Sequence, residues 1–364
     1  MENLQEGVSG LNKLSRREFL KFATFTAATL GISHSVPEVA QALEKAAKGQ
    51  PPVIWLQGSS CTGCSVSLLN SVHPDIKEIL LEIISLKFHP NVSAATGHIA
   101  VETYLGEAEK NKGKFYLVIE GAIPTKHDGI YCSIGEKDEK ELYFVDVVKE
   151  LGDKAAAVIA IGTCAAYGGI PAADPNPTGC VPVTKIVDPK KVLSIPGCPP
   201  HPDWFVGSLA HILLYNELPE TDKFGRPKAF YEGIIHDNCP RRQYFDNSIF
   251  AKDFSEPGCL LLLGCKGPVT HSDCPTRLWN SGVNWCIKAG HPCIGCTEPG
   301  FPDKTGPIYQ KMPDVKLAGI STSADTFGEV IGAATAIGLG AHLVGNIATG
   351  RLGGHKKKDK EGDE

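Results

Sequence analysis

A concentrated basic surface is what this sequence most plainly lacks. Its 364 residues carry a formal net charge of −5. The clear basic run, Lys356-Lys357-Lys358, lies in the tail, where solvation accounts for it. Nucleic-acid binding is therefore not expected, because such proteins concentrate Lys and Arg on one face. Internal repeats are also missing, which argues against a solenoid or propeller. Hydrophobic residues make up 42% and charged residues 21% of the chain, a balance that excludes wholesale disorder. The length allows two domains, each with its own core.

Cysteine is what the chain has in excess. Thirteen are present, too few per residue for a small disulfide scaffold and too many for an average enzyme. The odd number leaves one unpaired if disulfides are their only use. Several lie beside Gly or Pro in tight turns: CTGC at 61–64, PGCPP at 196–200 and CIGC at 293–296. Such turns aim sulfurs and backbone N–H groups inward at one object, so metal or cluster ligation is the leading reading.

The two ends read as addresses rather than fold. Ser15-Arg16-Arg17-Glu18-Phe19-Leu20-Lys21 is followed by an apolar run from Phe22 to about Ile32, and Ala40-Gln41-Ala42 offers a cleavage site. This is the layout of a twin-arginine export signal, so residues 1–50 are set apart as signal and leader. Near the other end, the stretch from Val330 to Thr349 has the length of a bilayer span and contains no Asp, Glu, Lys or Arg. Arg351 and the lysines at 356–358 would hold the end of the chain in the cytoplasm. Residues 323–364 are thus expected to form a membrane anchor and basic tail. A soluble helix is the alternative, since Ala and Gly contribute little transfer energy and His342 and Asn346 are polar. Gly332, Ala336, Gly340 and Ala341 would suit close packing on a partner helix.

Between the ends, short continuous apolar runs alternate with helix-like segments. Strands are expected at Val53–Gln57, Phe115–Glu120, Ala156–Ile161 and Val192–Ile195, and helices at Ile76–Ile84, Leu142–Leu151 and Trp204–Tyr215. The fold class is α/β: a doubly wound parallel sheet over residues 51–218. In such sheets ligands sit beyond the carboxyl ends of the strands. VIWLQG runs into Cys61 and Cys64, AVIAIG into Cys164, and VLSIPG into Cys198. Three strands thus deliver thiols to one sheet edge, which favours a single four-thiolate site over buried free cysteines. Residues 219–322 are loop-rich and hold His236-x-x-Cys239, Cys259, Cys265, Cys274, Cys286, Cys293 and Cys296.

Together CTGC, GTCAAYGG (162–169), IPGCPPHP (195–202), IHDNCPR (235–241), LGCKGP (263–268) and HPCIGC (291–296) resemble the small subunit of periplasmic nickel–iron hydrogenases over nearly the whole chain. The resemblance implies a flavodoxin-like domain, a loop-rich cluster domain and three iron–sulfur clusters in a line. Cys61, Cys64, Cys164 and Cys198 resemble the ligands of a proximal 4Fe–4S cluster. His236, Cys239, Cys259 and Cys265 resemble those of a distal 4Fe–4S cluster, where His in place of a thiolate raises the potential. Cys274, Cys293 and Cys296 resemble the ligands of the middle cluster. Many relatives hold 3Fe–4S there, with proline where this chain has Cys286, so 4Fe–4S is expected, with 3Fe–4S the alternative. Ser60, where many members have Glu, and Cys286 together resemble the nickel–iron–selenium branch. Cys132 and Cys180 are left over and are read as structural.

The implied role is electron transfer from a nickel–iron centre in a separate large subunit, through the three clusters, to a c-type cytochrome or a membrane cytochrome b. Splitting of hydrogen belongs to the large subunit, so no catalytic residue is assigned here. A cluster-bearing relative from complex I would lack the export signal and the HxxC set. A zinc protein would carry adjacent CxxC pairs, whereas Cys61/Cys64 and Cys293/Cys296 are far apart in sequence. A thioredoxin-like oxidoreductase would leave Cys164 and Cys198 without a purpose.

Overall fold

The computed structural model describes residues 50–305 apart from His73, together with 315–317, 320–322 and 324–349. The expected export segment and cleavage site lie outside the described residues. The chain divides into two compact units, Met1–Lys311 and Met312–Glu364.

Strands β1 (Pro52–Gln57), β2 (Ser85–Phe88), β3 (Tyr116–Glu120), β4 (Ala157–Ile161) and β5 (Val192–Ile195) form one parallel sheet in the order β2-β1-β3-β4-β5. This is the flavodoxin-type order, whose switch point lies between β1 and β3. β1, β3, β4 and β5 match the expected strands to within a residue. Their runs of Val, Ile, Leu and Ala suit strands covered on both faces.

Successive side chains of a strand point to opposite faces. Val53 and Trp55 enter one core with Ile159, Ile161, Leu193 and Ile195, while Ile54 and Leu56 enter the other with Leu117, Ile119 and Val158. Among the helices after α1 (Gly63–Leu68) are α2 (Gly97–Lys110), α3 (Phe144–Lys154) and α4 (Gly162–Tyr167). α3 puts Phe144, Val147, Val148 and Leu151 into the second core, a helical i, i+3, i+4, i+7 stripe. Each such side chain contributes about 1.5–3 kcal/mol on burial. α5 (Pro202–Tyr215) covers the first face with Trp204, Phe205, Leu209 and Ile212. That core continues without a break into Ile235, Leu260, Trp285 and Ile287 of the loop-rich segment.

The helices expected at 142–151 and 204–215 are α3 and α5. The one expected at 76–84 is a short turn, Ile76–Glu78, capped by Asp75 and continued by a π turn at Ile79–Ile83.

In the second unit, Val315–Leu317 and Ile320–Thr322 form an antiparallel pair, followed by α6 (Ala324–Ala348). At 1.5 Å per residue α6 extends for about 38 Å. The expected helix is thus present, but among the described residues none is long and apolar enough to cross a membrane. The described α6 side chains Ile337, Leu339, Leu343, Val344 and Ile347 are exposed.

Candidate cluster sites

The sheet register places the first site. Gln57 pairs with Glu120, Glu120 with Ile161, and Ile161 with Ile195, so the last residues of four strands form one row. The chain leaves that row towards Cys61 and Cys64, Cys164, and Cys198. Cys64 starts within α1 and Cys164 within α4. Burial, the Glu120 carboxylate and the thiols of Cys164, Cys61 and Cys198 push the Cys64 thiol well above its ordinary range. Burial and Cys198 push Cys164 up to about 11. Four thiols that oppose one another's ionisation need a cation to become thiolates together.

Glu120 is fully buried at the end of β3. Its carboxylate accepts from Trp55 Nε1 (3.1 Å), Gln57 Nε2 (3.0 Å), Ser60 Oγ (3.2 Å) and the backbone N–H of Cys64 (3.1 Å), and also from Ser65 Oγ. Ser65 Oγ in turn lies 3.0 Å from His89 Nε2. Glu120 therefore fixes the turn that carries Cys61 and Cys64. Ser60, noted in the sequence only for not being Glu, donates to Glu120 and accepts from Thr62 N–H at 3.0 Å. Glu120 escaped sequence reasoning, although an acid closing the apolar run YLVIE was a visible signal.

The second group lines a recess. His236, Cys239, Cys259 and Cys265 face it together with Arg241, Leu260, Gly267 and Ile287. His236 Nε2 is buried with no hydrogen-bond partner. Burial and Arg242 lower the pKa of this imidazole, which keeps the ring neutral with a lone pair to give. The sulfurs of Cys239, Cys259 and Cys265 accept from the backbone N–H groups of Arg241, Leu261 and Gly267. Backbone N–H groups turned onto sulfur in this way stabilise thiolates.

The third group lies between the other two. Cys274 neighbours Cys286, and Cys296 neighbours both. Cys293 neighbours Cys296 and also Cys265 of the second group. Cys296 accepts from the backbone N–H of Cys198 in the first group. Thr163 Oγ1 donates to the Cys296 carbonyl and accepts from Gly197 N–H at 2.8 Å, clamping the two loops together. Lys266 N–H donates to the Cys293 carbonyl at 2.7 Å on the other side. All twelve expected residues thus fall into three adjoining groups of four.

Cys132 and Cys180 belong to none of them. No disulfide joins them, and burial, with Cys180 as neighbour, pushes Cys132 up to about 11. Sequence reasoning also missed Arg226, 1% exposed. It pairs with Asp222 (2.7 Å) and Glu298 (3.0 Å) and donates to the Thr297 carbonyl (3.2 Å), bracing the CIGC turn.

Residues 231–309 match the family described as the C-terminal part of the NiFe/NiFeSe hydrogenase small subunit. Residues 61–212 match the NADH ubiquinone oxidoreductase 20 kDa subunit family. The periplasmic [NiFeSe] hydrogenase small subunit of Desulfomicrobium baculatum is 50% identical over 312 residues, covering 81% of this chain and 98% of its own. The chain belongs to the nickel–iron hydrogenase small subunits. The uptake hydrogenase small subunit of Azotobacter vinelandii is 39% identical, covering 96% of this chain and 95% of its own. Among solved structures, the H2-activated [NiFeSe]-hydrogenase of D. baculatum superposes with a TM-score of 0.69 at 48% identity, over 72% of this chain and 99% of that one.

A hydrogenase small subunit transfers electrons within a complex completed by the large subunit, and its family implies iron–sulfur clusters. The side chains of this small subunit fit such groups. The orphaned Nε2 of His236 and the N–H-supported thiols around it are a donor set for iron.

Proposed function

We propose that this chain carries electrons from hydrogen oxidation at the large-subunit nickel–iron site through three clusters to a cytochrome acceptor. Residues 51–218 would supply the proximal ligands Cys61, Cys64, Cys164 and Cys198. Residues 219–322 would supply the middle ligands Cys274, Cys286, Cys293 and Cys296 and the distal ligands His236, Cys239, Cys259 and Cys265. With Cys286 as a fourth thiolate the middle cluster is 4Fe–4S, like the other two. Bound clusters supply one-electron carriers; the protein supplies their spacing, their burial and the hydrogen bonds to sulfur.

The observation that carries this reading is the unbroken adjacency of the three groups, through Cys198 and Cys296 at one junction and Cys293 and Cys265 at the other. A cleft of about 700 Å³ beside the first group, lined by Gly63, Val66, Ser67, Pro199, His201 and Trp279, is where we place the large subunit. At the far end Asp237 and Asn238 beside His236 are exposed, and there we place the acceptor, a c-type cytochrome or a membrane cytochrome b. Export by the twin-arginine route would put the complex in the periplasm, as the name of the D. baculatum relative states for that protein. The test is hydrogen-driven cytochrome reduction by the purified heterodimer. Cys164→Ser, Cys293→Ser and Cys259→Ser should each cut it sharply. Unchanged rates in all three would refute the proposed path.

A further inference from the structure

The four cysteines of the middle group are held unequally. Cys274 and Cys293 are 9% and 6% exposed, and Cys296 is half-buried. Each has a donor from another residue: Ser272 Oγ reaches Cys274 Sγ at 2.8 Å, Gly295 N–H reaches Cys293, and Cys198 N–H reaches Cys296. Cys286 is exposed. Among the described residues, the donor that reaches its sulfur is its own backbone N–H. The position of Cys286 is nonetheless braced. Trp285 and Ile287, on either side, are 4% and 2% exposed in the core. His291 N–H donates to the Cys286 carbonyl at 2.9 Å. Three of these residues are therefore enclosed, while Cys286, whose thiol pKa is also raised by burial, is the most exposed of the four and sits on a fixed segment.

We propose that the Cys286 corner of the middle cluster is an exchangeable site for one ferrous ion. The inference rests on the reading above that Cys286 is the fourth ligand. The shell around a metal site controls solvent access to it, and here the Cys286 corner is the one built on an exposed residue. A one-electron acceptor from solvent, such as dioxygen or ferricyanide, takes an electron from [4Fe–4S]2+ to give [4Fe–4S]3+. The iron at Cys286 then loses its bond to Sγ and its bonds to three sulfides. It leaves as Fe2+, and [3Fe–4S]+ stays on Cys274, Cys293 and Cys296, so charge is conserved. The freed Cys286 thiolate takes a proton from water. Reassembly needs Fe2+, release of that proton and one electron, which hydrogen oxidation supplies. Because Trp285 and Ile287 hold Cys286 in place, the empty corner keeps its ligand ready.

The experiment uses the anaerobically purified heterodimer, titrated with ferricyanide in the presence of a ferrous chelator and followed by EPR. One ferrous ion per heterodimer should be released as an oxidised 3Fe–4S signal grows. Added Fe2+ under hydrogen should reverse both. In Cys286→Ser, release should be about 10-fold faster or more. A middle cluster that stays 4Fe–4S and releases no iron overturns the exchangeable site while leaving Cys286 as a ligand. Iron release at an unchanged rate in Cys286→Ser also overturns it. A 3Fe–4S signal already present under anaerobic conditions, which Fe2+ and hydrogen cannot remove, overturns the ligand reading itself.

Discussion

Gly162→Ala should cost the protein its proximal cluster although Gly162 ligates nothing. Gly162 follows the last residue of β4 and has φ +84°. A methyl group there would sit under 3.0 Å from Cys64 Sγ, whereas ordinary contact begins at 3.4 Å. The sulfur must therefore retreat by more than about 0.4 Å, twice the roughly 0.2 Å tolerance of a metal–ligand bond. The left-handed backbone adds about 1–2 kcal/mol of strain for any residue with a Cβ, too little to unfold a domain of typical stability. The expected heterodimer is folded and short of one cluster. Iron content should fall by about a third, the proximal EPR signal should vanish, and hydrogen uptake with an artificial acceptor should collapse. A Gly162→Ala protein with full iron and unaltered EPR would refute the placement of Cys64 as a ligand packed on that glycine.

Glu120→Gln replaces an all-acceptor carboxylate with an amide that must aim N–H groups at donors. Ser65 Oγ and Gln57 can reorient, but Trp55 Nε1 cannot, so a loss of about 1–3 kcal/mol is expected, read as a lower Tm, together with a higher proximal-cluster potential; an unchanged potential would show that the carboxylate does not act on the cluster. His236→Ala should slow cytochrome reduction about 10- to 100-fold while hydrogen isotope exchange, which needs only the large subunit, persists; equal loss of both would contradict an exit role. His201 holds its neutral form through Nδ1, which accepts from Asp203 N–H at 3.1 Å, and burial lowers its pKa from 6.5. The unfolded state binds this proton first, so the contribution is intact above about pH 6.5 and falls as pH drops below it. Thermal unfolding of wild type and His201→Gln on either side of that pH should show a steeper acid loss for wild type, and parallel curves would exclude the linkage.

The parallel strands and the strand-end cysteines were readable because both signals are local: apolar runs of Val, Ile and Leu, each followed by a Gly- or Pro-flanked thiol. β2 was missed because SLKF is a four-residue edge strand joined to the apolar run ILLEII, which reads as helix. α2 was missed because it begins on Gly97, carries Gly106 and shows only a weak apolar stripe of Val101, Tyr104 and Ala108. The grouping of the cysteines beyond the first four is a matter of three-dimensional loop packing, and there the motif resemblance rather than any periodicity supplied the expectation. The roles of Glu120, Thr163 and Arg226 depend on partners many residues away and leave no spacing to read.

Iron-edge anomalous diffraction from crystals of the heterodimer tests the three-cluster line most directly. The account predicts three compact multi-iron peaks in this protein: among Cys61, Cys64, Cys164 and Cys198; among Cys274, Cys286, Cys293 and Cys296; and among His236, Cys239, Cys259 and Cys265. Single-ion peaks, a zinc edge in place of iron, or an iron-free recess at His236 would contradict it.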